Sequence, residues 1–194
     1  MIRLETERLI LRDHIPEDLP SHHALFSDPK AMRYLPDIMT HSLKESRANL
    51  QTAIEQVGLP QRKYYFLRME DKASGEHVGE IGYTVTQFTP LGKLVGVGYF
   101  IRPCFWGRGL TTEALRELNR FAFEEDGVYR ISCGCLLENK ASERVMQKCG
   151  FLREAHFREI QYHEGVLKDR VEYGLLRRDW LKNAPRQPHI LSGA

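Results

Sequence analysis

Three short runs do most to fix what this chain can fold into. KYYFLRME at 63–70, HVGEIGYTVT at 77–86 and KLVGVGYFIR at 93–102 are rich in aromatic and β-branched residues, with the turn-formers Lys72-Ala-Ser-Gly75 and Thr89-Pro-Leu-Gly92 between them. Such side chains suit a pleated, half-buried surface, and the short linkers turn the chain straight back, so the segment predicts an antiparallel meander. After Pro103 the period changes. Leu110, Ala114, Leu115, Leu118, Phe121 and Ala122 form one stripe of a helix, followed by a buried strand at Arg130-Ile-Ser-Cys-Gly-Cys135. A further helix carries Val145, Met146 and Cys149 and stops at Gly150, and two more strands are expected near 152–162 and 168–177.

Before the meander, residues 7–12 alternate as an edge strand would, with Leu9 and Leu11 on one face and Arg8, Ile10 and Arg12 on the other. Pro16-Glu-Asp opens a helix through Leu19, His22, His23 and Phe26 that Asp28-Pro29 ends, and Ser42-x-x-Glu45 reads as a capping box for a second helix running to Gly58-Leu-Pro60. The order βααβββαβαββ predicts one α/β domain built on a mixed sheet, over residues 1–182. Residues 183–194, with two prolines and no periodicity, read as a loosely attached tail.

Composition narrows the partners. At 194 residues with 42% hydrophobic and 28% charged, the chain is long enough for a core that needs no disulfide or metal. A net charge of +2 offers no single-sign field, which argues against nucleic acid, and no apolar run reaches membrane-spanning length. The N-terminus, MIRLETERLILRD, is too densely charged for a signal or transit peptide, so a cytoplasmic protein is expected. Its four cysteines form no C-x-x-C and its eight histidines no H-E-x-x-H, so no metal is expected and the thiols are read as reduced.

The stretch richest in chemistry is Trp106-Gly-Arg-Gly-Leu-Thr-Thr112. Two glycines lead from a strand end straight into a helix whose first amides are unpaired, an arrangement suited to a pyrophosphate; it equally describes a Gly-rich turn that merely starts a helix. It is not a Walker loop, which needs Gly-Lys-Ser/Thr, and Thr112 stands where a dinucleotide fingerprint needs a third glycine.

Four motifs in order resemble the GCN5-related N-acetyltransferases, in the branch that includes acetyltransferases of ribosomal-protein N-termini and of spermidine. Thr6–Arg12 is similar to that branch's opening strand and Asp28–Leu35 to the segment between its first helices. Trp106–Ala114 is similar to its pyrophosphate loop, and Asn139–Ser142 through Lys148–Phe151 to its second cofactor motif. The resemblance implies acetyl-CoA lying against a mixed, mostly antiparallel sheet whose cofactor strand splays from its neighbour at a bulge. Its pyrophosphate would meet the backbone of Gly107, Arg108, Gly109, Leu110, Thr111 and Thr112 beside Trp106, and its pantetheine arm Phe100 and Ile101. Asn139 would reach the pantetheine, unless it is only an N-cap. Ser142, or a nearby tyrosine, would protonate the departing thiolate.

A glutamate that relatives often carry before the Gly-Tyr pair is replaced here by Gly96 and Val97, and Gln161 stands where ribosomal relatives can carry another. Glu80, in the facing strand, and Glu159, in a late strand, are the substitutes expected to act as base. The function implied is direct transfer of acetyl to a primary amine of a peptide N-terminus, polyamine or small molecule, by a monomer or homodimer. A non-catalytic acyl-CoA sensor or subunit on the same scaffold is the alternative, and a cysteine relay through Cys104 is the chemical rival.

Overall fold

The three aromatic runs form the middle of the sheet. In the computed structural model, which describes residues 1–183, they are strands β3 (Tyr64–Asp71), β4 (His77–Thr89) and β5 (Gly92–Ile101), paired antiparallel as the turns between them dictate. The chain reaches them through β1 (Arg3–Glu5), β2 (Leu9–Asp13), α1 (Leu19–Phe26) and α2 (Leu43–Glu55). It leaves them through α3 (Leu110–Glu124), β6 (Val128–Leu136), α4 (Lys140–Lys148), β7 (Leu152–His163), β8 (Val166–Leu176) and α5 (Arg177–Asn183). The sheet has eight strands in the order β1-β2-β3-β4-β5-β6-β8-β7. All pairs are antiparallel except β5 with β6, because α3 carries the chain across between those two.

Three expectations are corrected. β2 is not the edge, since β1 pairs outside it; three residues are too few to show a period. A fifth helix follows β8, fixed by packing rather than pattern, with the Trp180 ring 5.5 Å from that of Phe123 on α3. The Ser42 side chain does accept from the Glu45 amide, at 3.2 Å, but the Glu45 carboxylate reaches back to the His41 amide at 2.7 Å rather than to that of Ser42. Of the expected tail, Asn183 ends α5, and residues 184–194 lie outside the described residues.

The core lies mainly on the α3 side of the sheet. Leu110, Ala114, Leu115, Leu118, Ala122 and Phe123 bury the stripe expected of α3 against Leu67, Ile81, Tyr83, Val95 and Ile131, with Phe123 taking the place foreseen for the half-buried Phe121. On the other face α1 brings Leu25 and Phe26 onto Met32 and Phe100. Burying each such large side chain contributes roughly 1.5–3 kcal/mol. Phe100 is therefore held from the α1 side of the sheet, its ring 5.1 Å from that of Phe26.

Candidate active site

β5 and β6 run side by side only from Lys93 to Gly96, whose partners are Val128 to Ser132; beyond that point no pairing joins them. The bulges that accompany this divergence lie on the neighbours rather than on β5 itself. Thr86 of β4 is the extra residue opposite Val95 and Leu94, and Tyr129 of β6 the extra one opposite Lys93 and Leu94. Between the diverging strands opens a cleft of about 930 Å³. Its walls include Gly96 to Ile101 of β5, Ser132 to Leu136 of β6, the start of α3 and the first turn of α4.

The loop into α3 has the backbone an anion site needs. Gly107 and Gly109 both take left-handed φ, 75° and 77°, where a Cβ would be strained, and no side chain caps the helix that Gly109 starts. Gly107, Gly109, Leu110, Thr111 and Thr112 line the cleft. The Trp106 indole donates to the Ile101 carbonyl at 3.0 Å, fastening the loop to the end of β5. Arg108 does not line the cleft; its guanidinium lies over the Phe105 ring at 5.3 Å, while its carbonyl accepts from Arg8 Nη1 at 3.0 Å. Behind the loop, Glu113 accepts from Thr6 Oγ1 at 2.5 Å, from the Arg8 amide at 2.8 Å and from Arg8 Nε at 2.7 Å. The turn after β1 is thereby bolted to the first turn of α3. These partners of Glu113 lie more than a hundred residues away in sequence, where no local spacing displays them.

At the other end of the cleft, Asn139 caps α4 through its Oδ1, which accepts from the Ser142 amide at 3.2 Å, and it also lines the cleft. Ser142 Oγ lies 3.0 Å from the Tyr99 hydroxyl, which is also 3.2 Å from the Ser142 carbonyl. Burial pushes the Tyr99 phenol well above its ordinary value, so it stays protonated and can donate. Burial also pushes the Cys133 thiol to about 12 and raises Cys135; both line the cleft as neutral thiols. Cys104 is exposed and is not part of the cleft wall.

The two glutamates expected as bases are elsewhere. Glu80 is buried, and its register partner Phe100 lines the cleft while Glu80 does not. Its carboxylate meets His14 Nε2 at 2.7 Å, His22 Nδ1 at 3.1 Å and His77 Nε2 at 3.3 Å. Burial alone would raise this carboxyl, but the charge and hydrogen bond of His14, with the bonds from His22 and His77, hold it well below the ordinary range. Strand alternation does not display His14 and His22, which cover it from outside its own strand. The Glu80, His14 and His22 atoms of metal-ligating type lie within 4.8 Å of one another, and the two histidine–carboxylate contacts are at hydrogen-bond distance.

Glu159 is exposed at φ 50°, its amide donating to Asp169 Oδ1 at 3.0 Å, and it borders a separate recess with Glu138 and Lys168. The β7–β8 register slips between Phe157 and Gln161, so alternation does not carry from 159 to 161. Gln161 alone of the two faces the cleft, together with Arg170 and Glu172, and neither of these two was singled out in the sequence. The alternation of buried Val171 and Tyr173 with Arg170 and Glu172 was the signal that could have found them.

The residues present fit a CoA thioester: left-handed glycines before an uncapped helix, a strand with no partner along one side, and paired hydroxyls at the far end. Comparison with known proteins agrees. Residues 8–152 match the family described as acetyltransferase (GNAT) domain. An uncharacterized N-acetyltransferase of Bacillus subtilis, YoaA, is 27% identical over 176 residues, covering 90% of this chain and 96% of its own. Among solved structures, a ribosomal L7/L12 alpha-N-protein acetyltransferase in complex with coenzyme A superimposes with a TM-score of 0.79 at 22% identity, covering 90% and 98% of the two chains. The spermidine N-acetyltransferase of Vibrio cholerae, with CoA and spermine, gives 0.77 at 20% identity, covering 89% and 98%. The chain belongs to the GNAT family of acetyltransferases.

Proposed function

We propose that this protein transfers the acetyl group of acetyl-CoA directly to a primary amine, without a covalent enzyme intermediate. The observation that carries the reading is the divergence of β5 and β6 beyond Gly96, placed between an uncapped helix start and the Ser142–Tyr99 hydroxyl pair. Amides of residues 110–112 would take the pyrophosphate, and the unpaired side of β5 toward Ile101 the pantetheine arm. Asn139 would add a side-chain contact there, and Ser142, held by Tyr99, would give a proton to the departing sulfur. Acetyl-CoA supplies the activated acyl group; the protein holds, orients and moves protons. No helix among the described residues is long and apolar enough to cross a membrane.

Peptide N-termini, polyamines and small amines are the acceptor classes this cleft would serve, in line with what the two solved enzymes are named for. A panel of such amines and peptides with acetyl-CoA, following free CoA, tests the reading. Thiol release with at least one amine is expected. Tight CoA binding with no release for any amine would make the chain an acyl-CoA sensor instead.

A further inference from the structure

On the face of the sheet turned away from α3, the diverging strands carry a row of missing side chains. Val95, Val97 and Ile101 of β5 and Ile131, Cys133 and Cys135 of β6 point into the core beside α3, so alternation turns Gly96, Gly98 and Gly134 the other way. A Cβ on Gly98 would meet nothing within 4 Å, and one on Gly96 only the Thr86 methyl at 4.0 Å. Packing therefore does not require glycine at these two positions; what they leave is an open trough in the cleft floor.

Gly134 is different. A Cβ there would collide with the carboxylate of Glu172, its register partner on β8. The absence of a side chain at 134 lets Glu172 lie across β6 toward the gap. Arg170 holds it there: its Nε donates to Glu172 Oε1 and its Nη1 to Gln161 Oε1 at 3.0 Å, and all three residues line the cleft. Among the described residues nothing donates to Glu172 Oε2.

We propose that Glu172 receives the acceptor's ammonium group over the glycine trough and takes its proton, a role that rests on the transferase reading above. An ammonium has no lone pair, so a proton must first pass from nitrogen to Glu172 Oε2, leaving a neutral amine and a carboxylic acid. The amine lone pair then forms the N–C bond to the thioester carbonyl as the C–S bond breaks. The nitrogen's surplus proton reaches the departing sulfur by way of the Ser142 and Tyr99 hydroxyls, giving an amide and a free thiol. Glu172 returns its own proton to solvent through the open cleft. Arg170 is a positioning residue here, and Gln161 its anchor. The carboxylate that position 161 lacks is thus supplied from the neighbouring strand.

Glu172→Gln and Glu172→Asp, checked by thermal melting, test this with the best amine of the panel and with hydroxylamine, which is largely uncharged at neutral pH. With the basic amine, Glu172→Gln is expected to lower kcat about 100-fold or more and to erase the acidic limb of kcat/KM against pH. Calorimetry should find acetyl-CoA affinity unchanged. Hydroxylamine should restore most of the rate, because it brings no proton that must be removed, and Glu172→Asp should keep part of the activity. An unchanged pH profile, a raised KM with intact kcat, an equal loss with hydroxylamine or a loss of acetyl-CoA affinity would each overturn the assignment. Wild-type protein that releases no CoA with any amine would instead remove the transferase reading beneath it.

Discussion

Ser142 combines a structural and a chemical part that separate cleanly by atom. Its backbone amide is what the Asn139 cap holds, at 3.2 Å, and its Oγ is what meets Tyr99, at 3.0 Å. Ser142→Ala deletes only the second. It should lower kcat by roughly 10- to 1,000-fold while acetyl-CoA affinity, read by calorimetry, changes little. Equal loss of affinity and rate would assign the hydroxyl to cofactor placement, and full activity would pass the donor role to Tyr99 or to water. Asn139 and Ser142 were legible in the sequence because a helix cap acts across three residues. The surroundings of Glu80 were not: His77 shares its strand, but His14 comes from the segment after β2 and His22 from α1, and no spacing rule links those two to it.

That histidine cluster is where α1 and the chain leading into it are pinned to the sheet, and it makes the attachment of this element pH-dependent. Burial opposes a charge on His14, yet the carboxylates of Glu80 and Asp18 outweigh it and raise the imidazolium's pKa to about 9. Asp18 is likewise held low: burial would raise it, but hydrogen bonds from His14 and Arg12 prevail, with Arg68 3.4 Å away. A group whose pKa is raised by folding stabilises the fold fully below its ordinary value and loses that contribution as pH climbs through the folded one. For His14 the loss spans pH 6.5 to about 9. For Glu80 and Asp18, whose values are depressed, stabilisation holds above the ordinary carboxylate range and fades in acid. Thermal melting should therefore be flat from about pH 5 to 6.5 and then fall, by roughly 5–10 °C, toward pH 10. His14→Gln should start lower and show a much shallower alkaline decline. A variant with the wild-type slope would show that other groups set it.

Across the whole molecule, what could be read in advance were the features written locally: the three meander strands, the stripe of α3, the glycine pair before it and the cap of α4. What could not be read depended on contacts distant in sequence. β1 is ordered by pairing with β2, α5 by the ring of Phe123, and the Glu113 tether by a turn at the far end of the chain. Glu172 escaped for a related reason: its significance lies in Gly134, thirty-eight positions earlier on another strand.

The short ladder between β5 and β6 also makes the sheet two panels with a narrow seam. β1 to β5 and β6 to β8 share only the pairs from Lys93 to Gly96, and beyond them the edge of the first panel is open. Arg102 gives its amide to Val78 on β4, so by alternation the amides of Val97, Tyr99 and Ile101 point the other way, into the gap. A pantetheine arm carries amide groups of its own and can sit there as a surrogate strand. Hydrogen exchange at those three amides should slow when CoA is added, while Gly98 and Phe100, already turned toward β4, change far less; equal slowing at all five would argue against it. The substrate that the protein consumes would then also be the strut that joins its two panels, leaving the molecule stiffest at the moment of transfer and slackest once the thiol has gone.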